Sequence, residues 1–150
     1  MVVGIIGVLF AIGPTLLINL QNFYLTTTAR GEIQRDARTA LDTINRYLRQ
    51  GKMGTIYIDT PSGQGPYSRV QFTHVDGRSM TFRQNGNQLI QKIDTVESVI
   101  SKNLAYLAFT YPRTDDPSIL SVAITMNKSI QLGQRKVLEL TIQKVRIMNP

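Results

Sequence analysis

The stretch MVVGIIGVLFAIGPTLLINLQNFYLTTTARGEIQRDARTALDTINRYLRQ, residues 1–50, decides the architecture of this chain of 150 residues. Its beginning is apolar: twelve of the first twenty residues are Val, Ile, Leu or Phe, and no charged side chain occurs before Arg30. About twenty apolar residues are enough for a helix to cross a bilayer. Three glycines, a proline and an asparagine in the same stretch oppose insertion. The sequence therefore predicts a membrane helix whose insertion is favourable but modest.

A cleaved secretory signal peptide is the alternative interpretation of these residues. A signal peptide has a basic first region and a shorter apolar core, whereas this stretch has no basic residue and a longer apolar run. The residues that follow it also continue in helical period. We therefore expect residues 1–29 to be a retained helix.

Residues 30–50 are predicted to extend this helix with one apolar and one charged face. Asp42 stands four residues from both Arg38 and Arg46, a spacing that favours weak ion pairs. Pro14 and Gly31 are the expected weak points, because proline removes a backbone donor and glycine lowers helix propensity. The apolar stripe follows three-and-four spacing at Leu16, Leu20, Phe23, Thr27, Ile33, Ala37, Leu41, Ile44 and Leu48.

The length of this helix divides the chain into two parts. From residue 15 to residue 50 it would measure roughly 54 Å at about 1.5 Å per residue, more than a head of about a hundred residues can bury. Lipid or neighbouring subunits must therefore cover its first half. Residues 1–29 are predicted to be an apolar membrane or fibre-core helix, and residues 30–150 an amphipathic helix plus a globular head.

Each part has its expected contact residues. The membrane and assembly positions are Val3, Ile6, Phe10, Pro14, Leu16, Leu20 and Phe23. The positions that dock the helix on a sheet are Ile33, Ala37, Leu41, Ile44 and Leu48.

Beyond Gly51 the apolar period becomes alternating, which predicts antiparallel strands. A short strand at 55–58 and a loop at 60–66 precede two hairpins, which turn at Asp76-Gly77 and at Asn85-Gly86-Asn87. The segment 94–101 fits either a short helix or a strand.

The last third of the chain is predicted to contain three further strands. They cover 105–111, then Leu120 to Met126, and finally a strand that begins near Leu138. Its apolar positions change phase before Val145, which suggests a β-bulge. The predicted fold class is α+β, with one long N-terminal helix packed on a sheet of six or seven antiparallel strands.

Composition excludes several kinds of site. The chain has no cysteine, so it has neither a disulfide framework nor a thiolate metal site. His74 is the sole histidine, which rules out a metal site built from several histidines. The net charge is +7 and the pI is about 10.0, but the basic residues are spread along the chain. Such a diffuse charge permits attraction to nucleic acid, anionic lipid or an acidic partner without selecting one.

Few residues suggest chemistry. Ser62 lies in a Gly-rich segment that lacks the Gly-x-Ser-x-Gly elbow, and one histidine does not establish a triad. Asp115 and Asp116 could place oxygen ligands near Ca²⁺, although adjacent carboxylates between two prolines also fit a solvent-facing loop. We therefore expect no enzyme activity, and no cofactor apart from this calcium alternative.

Three segments carry a resemblance to a known family. Residues 2–14, VVGIIGVLFAIGP, resemble the membrane half of the N-terminal helix of type IV pilins and pseudopilins. The basic helix 36–50, which ends YLRQ, is similar to minor pseudopilins and minor pilins of the J or W type. So are the segment from Val96-Glu97-Ser98 to LAFTY at 107–111 and the final VRIMNP at 145–150.

The resemblance implies a structural role. It suggests a pilin-like subunit of a type II secretion pseudopilus or a type IV pilus, in the fibre or in its tip complex. The implied partners are other pilin or pseudopilin subunits and an inner-membrane assembly platform. The implied location is the inner membrane, crossed once, with the head in the periplasm.

Two alternative functions stay open. The first is a DNA-binding minor pilin of a DNA-uptake pilus, in which Tyr67, Tyr106 and Tyr111 would stack on bases beside Arg69 or Arg113. These spacings do not establish an ordered platform, and core or interface tyrosines explain them as well. The second is a signal-anchored periplasmic protein with an unknown ligand.

The prepilin cleavage motif of the family, a basic leader and a glycine followed by an aromatic residue and a glutamate, is not found in residues 1–150. We expect it just before Met1, in a longer reading frame. Sequencing the coding DNA upstream of Met1 should reveal an in-frame basic leader and the glutamate. An in-frame stop codon directly upstream would count against this expectation.

Overall fold

The computed structural model describes residues 2–130 and 135–150, with the side chains of all of these except 2, 3, 5, 6, 8–11, 135 and 136. One helix, α1, spans Val2–Arg49 and contains 48 residues, about 72 Å at about 1.5 Å per residue. Pro14 lies inside it, and the helix continues through both Pro14 and Gly31. The expected weak points therefore do not interrupt it.

Eight antiparallel strands follow in the described part of the chain, after a 3₁₀ turn at Met53–Thr55. They are β1 (Tyr57–Asp59), β2 (Arg69–Thr73), β3 (Ser79–Asn85), β4 (Gln88–Ile93), β5 (Val96–Ser101), β6 (Leu104–Thr110), β7 (Ile119–Ile130) and β8 (Arg135–Arg146). They form a five-stranded sheet in the order β1-β2-β3-β4-β5 and a three-stranded sheet in the order β6-β7-β8. The α+β class is confirmed, with two sheets where the sequence suggested one.

The predicted turns join the strands of the larger sheet. Gly77 and Gly86 have φ values of 91° and 59°, a region that glycine adopts without strain. The segment left open as helix or strand is a strand, because Asp94 takes a positive φ of 53° and reverses the chain directly after β4. The Asp94 carboxylate holds this turn by accepting a hydrogen bond of 2.8 Å from the Ser79 N–H.

The last strand corrects one prediction. β8 pairs with β7 in continuous register from Ile119 opposite Arg146 to Ile130 opposite Arg135, so the β-bulge suggested there is wrong. The phase change has another cause. Leu138 and Val145 lie on opposite faces of one regular strand, since successive side chains of a strand alternate.

The core lies between the second half of α1 and the two sheets. The five helix positions expected to dock are each at most 3% exposed. They belong to one buried cluster that includes Leu120, Val122, Ile124 and Met126 of β7 and Val70, Phe72, Met80, Phe82 and Leu89 of the larger sheet.

Polar contacts fix the helix at two levels along its length. Near its middle, Lys128 of β7 pairs with Glu32, and the Asn103 side chain donates a hydrogen bond of 2.8 Å to Asp36. At its end, His74 Nε2 lies 2.7 Å from the Gln50 side-chain oxygen. A Cβ on Gly51 would come within 2.8 Å of the Phe72 ring, so only glycine lets the chain leave the helix there.

Replacing Leu41 by asparagine should lower the free energy of unfolding of the head by about 2–5 kcal/mol. The change removes buried apolar contacts and leaves a polar amide in the core. Denaturant unfolding of the chain in detergent measures it. Leu20→Asn is the matched control, because Leu20 is exposed on the same helix. An unchanged unfolding midpoint for Leu41→Asn would contradict the docking of α1 described above.

Candidate assembly surface

The described apolar side chains in the first half of α1 lie uncovered. Contact with the head begins near Tyr24 and Leu25, which line a cavity of about 330 Å³ together with Lys128 and Ile130 of β7. Up to Tyr24, seven large side chains are 56–71% exposed, namely Ile12, Leu16, Leu17, Ile18, Leu20, Phe23 and Tyr24.

These side chains cover most of the circumference of the helix. Leu16, Leu17 and Ile18 point about 100° apart, since an α-helix has 3.6 residues per turn. Thr15, Asn19 and Asn22 share the remaining side. A helix that is apolar over so broad a surface needs partners on more than one side. Covering the seven side chains would contribute on the order of 10 kcal/mol, at roughly 1.5 kcal/mol for each.

The structure locates some of the expected assembly residues. Leu16, Leu20 and Phe23 belong to the exposed surface, and Pro14 is exposed within the helix. The side chains of Val3, Ile6 and Phe10 lie outside the described ones. Over the residues that are described, no helical stretch combines the length and the apolarity needed to cross a membrane.

The solvent face of the docked half of α1 is a row of arginines. Arg35, Arg38, Arg46 and Arg49 are exposed, and in the described chain no carboxylate lies within ion-pair distance of them. The expected pairs of Asp42 with Arg38 and Arg46 are therefore not formed. Exposed pairs of this kind gain little, because the attraction barely offsets the entropy of ordering two long side chains.

β8 carries a second exposed apolar surface. Leu138, Leu140 and Ile142 are 62–63% exposed. They pair with Asn127, Thr125 and Ala123 of β7. The buried residues of β7 pair instead with Glu139, Thr141 and Gln143. Because directly paired residues share a face, the apolar set of β8 points away from α1. We call Leu138, Leu140 and Ile142 the β8 stripe.

Sequence reasoning missed the orientation of the β8 stripe, although a signal was present. The three residues have even numbers, whereas Val145 and Ile147 have odd numbers and are buried. In a regular strand this difference places the two sets on opposite faces. One of the sets therefore had to point away from the helix.

His74 and Ser62 do not form a catalytic arrangement. The ring of His74 is buried, with Nδ1 2.8 Å from the Asp76 carboxylate and Nε2 bonded to Gln50. Arg78, which donates to the same carboxylate, holds the pKa of Asp76 well below its usual range. Ser62 is exposed in the loop before β2. His74 thus joins the end of α1 to the β2–β3 turn.

The two acidic residues considered for calcium are engaged by their own loop. Asp115 accepts a hydrogen bond of 2.9 Å from Arg113, and Asp116 accepts one of 3.0 Å from the Ser118 N–H. Hydrogen bonds from Ser118 lower the pKa of Asp116. Across the described residues, no group of three or more His, Cys, Asp or Glu side chains is placed to hold a metal ion.

The tyrosines considered for nucleic acid do not all come together. Tyr67 and Tyr111 line a groove of about 510 Å³ with Tyr57 and Phe109, and burial raises the pKa of Tyr111. Tyr106 lies instead against Gly65, where an added Cβ would be 3.5 Å from its ring.

The two arginines considered with these tyrosines both have carboxylate partners. Arg69 is bonded to Asp59, which lowers the pKa of that carboxyl, and Arg113 is bonded to Asp115. The tyrosines considered for base stacking therefore lie in two places, and both arginines are paired with carboxylates.

No protein-family model matches the chain, and no curated protein matches it. Function is therefore inferred from the surfaces just described.

Replacing Leu17 and Phe23 by serine should weaken self-association of the chain in detergent-free buffer without changing the unfolding midpoint of the head. Both side chains are uncovered, so their loss removes apolar area only from the protruding half of α1. Sedimentation velocity measures the association. Tyr57→Ser is the control, since Tyr57 is equally exposed on β1. Equal association of wild type and the double variant would show that this surface does not drive it.

Proposed function

We propose that the chain is a minor pseudopilin or minor pilin, a structural subunit of a type II secretion pseudopilus or a type IV pilus. One observation supports this most: a continuous helix of 48 residues is docked on the head over its second half, and its described apolar side chains from Ile12 to Phe23 are uncovered. A helix of this kind needs other molecules around it to complete its burial.

The proposed mechanism is an exchange of environments for residues 1–29. In the inner membrane, acyl chains surround the apolar side chains and the head lies in the periplasm. During assembly the same side chains leave the lipid and pack against the helices of neighbouring subunits. The exchange is feasible because lipid and neighbouring helices cover the same apolar side chains. Each environment stabilises them by roughly 10 kcal/mol, so the net change in free energy is small.

The docked half of the helix would make stalk and head move as one body. A displacement of the helix would be passed to the smaller sheet through the Lys128–Glu32 pair and the apolar core shared with β7. It would be passed to the larger sheet through Tyr47, whose ring centre lies 6.1 Å from that of Phe82, and through the bond between Gln50 and His74. An assembly platform that moves the helix would therefore carry the whole head with it.

Polar substitution of Val3, Ile6 and Phe10 should abolish incorporation of the subunit into fibres even where membrane insertion survives. Close packing between helices tolerates no buried polar side chain without a partner. The measurement is the amount of chain in sheared fibres relative to the membrane fraction, in cells that carry the machinery.

Cross-linking supplies the second readout of this experiment. The chain has no cysteine, so single cysteines at Leu16 and Leu20 report only intended contacts. They should cross-link to other subunits in fibres, while a cysteine at Tyr57 on the head serves as the control. If the substitutions only reduced insertion and the cysteines stayed unlinked, a monomeric signal-anchored protein would be the better account.

A further inference from the structure

The smaller sheet has two edges that differ in how they are covered. β6 is capped by the protein itself: Leu104 N–H donates to the Asn87 carbonyl and Phe109 N–H to the Tyr67 carbonyl, each at 2.9 Å. The Gln84 side chain accepts from Leu107 N–H at 3.1 Å and donates to the Ala105 carbonyl at 3.3 Å. β8 pairs with β7 along all of its 12 residues, and the described strands place nothing on its other side.

The outer face beside this free edge is apolar. It consists of the β8 stripe, which is followed on the same face by the exposed cations Lys144 and Arg146. Proteins protect exposed edge strands with charges, prolines or bulges, because an open edge pairs readily with another strand. From Val137 to Gln143 the strand has no proline and no bulge, and its one charged side chain there is Glu139, on the inner face.

The inner face beside the same edge is polar, and one of its buried side chains has an oxygen without a hydrogen-bond partner in the described structure. A cavity of about 330 Å³ separates α1 from β8 and is lined by Asp42, Asn45, Arg46, Arg49, Gln50 and Gln143. Asn45 is only 7% exposed, and its side-chain oxygen has no hydrogen-bond partner in the described structure. A buried acceptor without a donor is unfavourable by about 1–3 kcal/mol. The cavity therefore contains an Asn45 oxygen that accepts no hydrogen bond in the described structure, and a single carboxylate, Asp42, beside Arg46 and Arg49.

We propose that β8 is the docking site for an extended strand of a different subunit, with aliphatic side chains on one face and carboxylates on the other. The backbone of that strand would continue the sheet beyond β8. Its aliphatic side chains would cover the β8 stripe. Its carboxylates would reach Arg46 and Arg49, and a donor group would reach Asn45. The alternation follows from the period of two in a strand.

A second copy of β8 fits this site less well. Its inner face offers a single carboxylate, Glu139, to the arginines. Antiparallel pairing of two β8 edges would also relate the subunits by a two-fold axis perpendicular to the sheet. Such an axis reverses the direction of α1, so the two stalks could not enter one membrane. This proposal concerns the head alone and goes beyond the assembly role proposed for the stalk.

The test is binding of a synthetic peptide to the purified full chain in detergent. The probe is a fluorescent peptide of alternating valine and glutamate, equal in length to β8. Controls are the valine–lysine peptide and the valine–glutamate peptide with alternate backbone nitrogens methylated. We expect saturable binding of the first peptide alone, and slower amide hydrogen exchange at residues 137–146.

Matched variants separate the two faces of the site. Leu140→Glu on the outer face and Arg46→Glu on the inner face should each weaken binding by roughly tenfold. Tyr57→Glu, on the far edge of the larger sheet, should leave binding unchanged. All three side chains are exposed, and equal unfolding midpoints would show that the variants are folded.

Several results would overturn the proposal. Equal binding of the lysine peptide would exclude recognition of carboxylates by the arginines. Equal binding of the methylated peptide would exclude backbone pairing with β8. If amide hydrogen exchange of β8 slowed as the protein concentration rose, in the absence of peptide, a second copy of the chain would be the occupant. Displacement of the peptide by an oligonucleotide would identify the arginines as a nucleic-acid surface. Because the assay needs no fibre, its failure is distinguishable from failure of the proposed assembly function.

Discussion

The rest of the structure depends on one mismatch, between the length of α1 and the amount of helix that the head can bury. About half of its 48 residues run along the head and bury one side against it, and the described apolar side chains before Tyr24 lie uncovered. Burial is the dominant favourable term in folding and in most association. The docked half therefore stabilises the head, and in the proposed function lipid or other subunits would cover the free half. The proposed assembly role follows from this division.

The division also explains how the head is built. The smaller sheet supplies the surface on which α1 docks, with β7 at its centre and β6 capped by Gln84 and the backbone of Asn87 and Tyr67. Asp36 and Glu32 are held by partners from the sheet side, whereas among the described residues the arginines on the other face of α1 have no carboxylate within ion-pair distance. The molecule thus presents a row of arginines on the solvent face of α1 and one open sheet edge at β8. Both features suit contacts between neighbouring subunits.

The sequence predicted the features that depend on apolar periodicity and on turn residues. It predicted fewer of the features that depend on how the elements pack together. The spacing of Ile33, Ala37, Leu41, Ile44 and Leu48 defined the docked face, and Asp76-Gly77 marked its hairpin. An alternating pattern does not say which face of a strand meets the core, so the orientation of the β8 stripe was not predicted and the phase change near Val145 was assigned to a bulge. Helical spacing alone also does not show that Asp42 stays apart from Arg38 and Arg46. The orphaned oxygen of Asn45 depends on how α1 and β8 are placed together, which no local pattern encodes.

The central claim is that the first half of α1 changes its surroundings from lipid to protein. The most direct measurement is the collision rate of a spin label at Leu17 with oxygen and with a water-soluble nickel complex, in membrane vesicles and in isolated fibres. The account predicts frequent collisions with oxygen in vesicles, few with either reagent in fibres, and few with nickel in both. Frequent collisions with nickel in vesicles, or an unchanged oxygen rate in fibres, would contradict it.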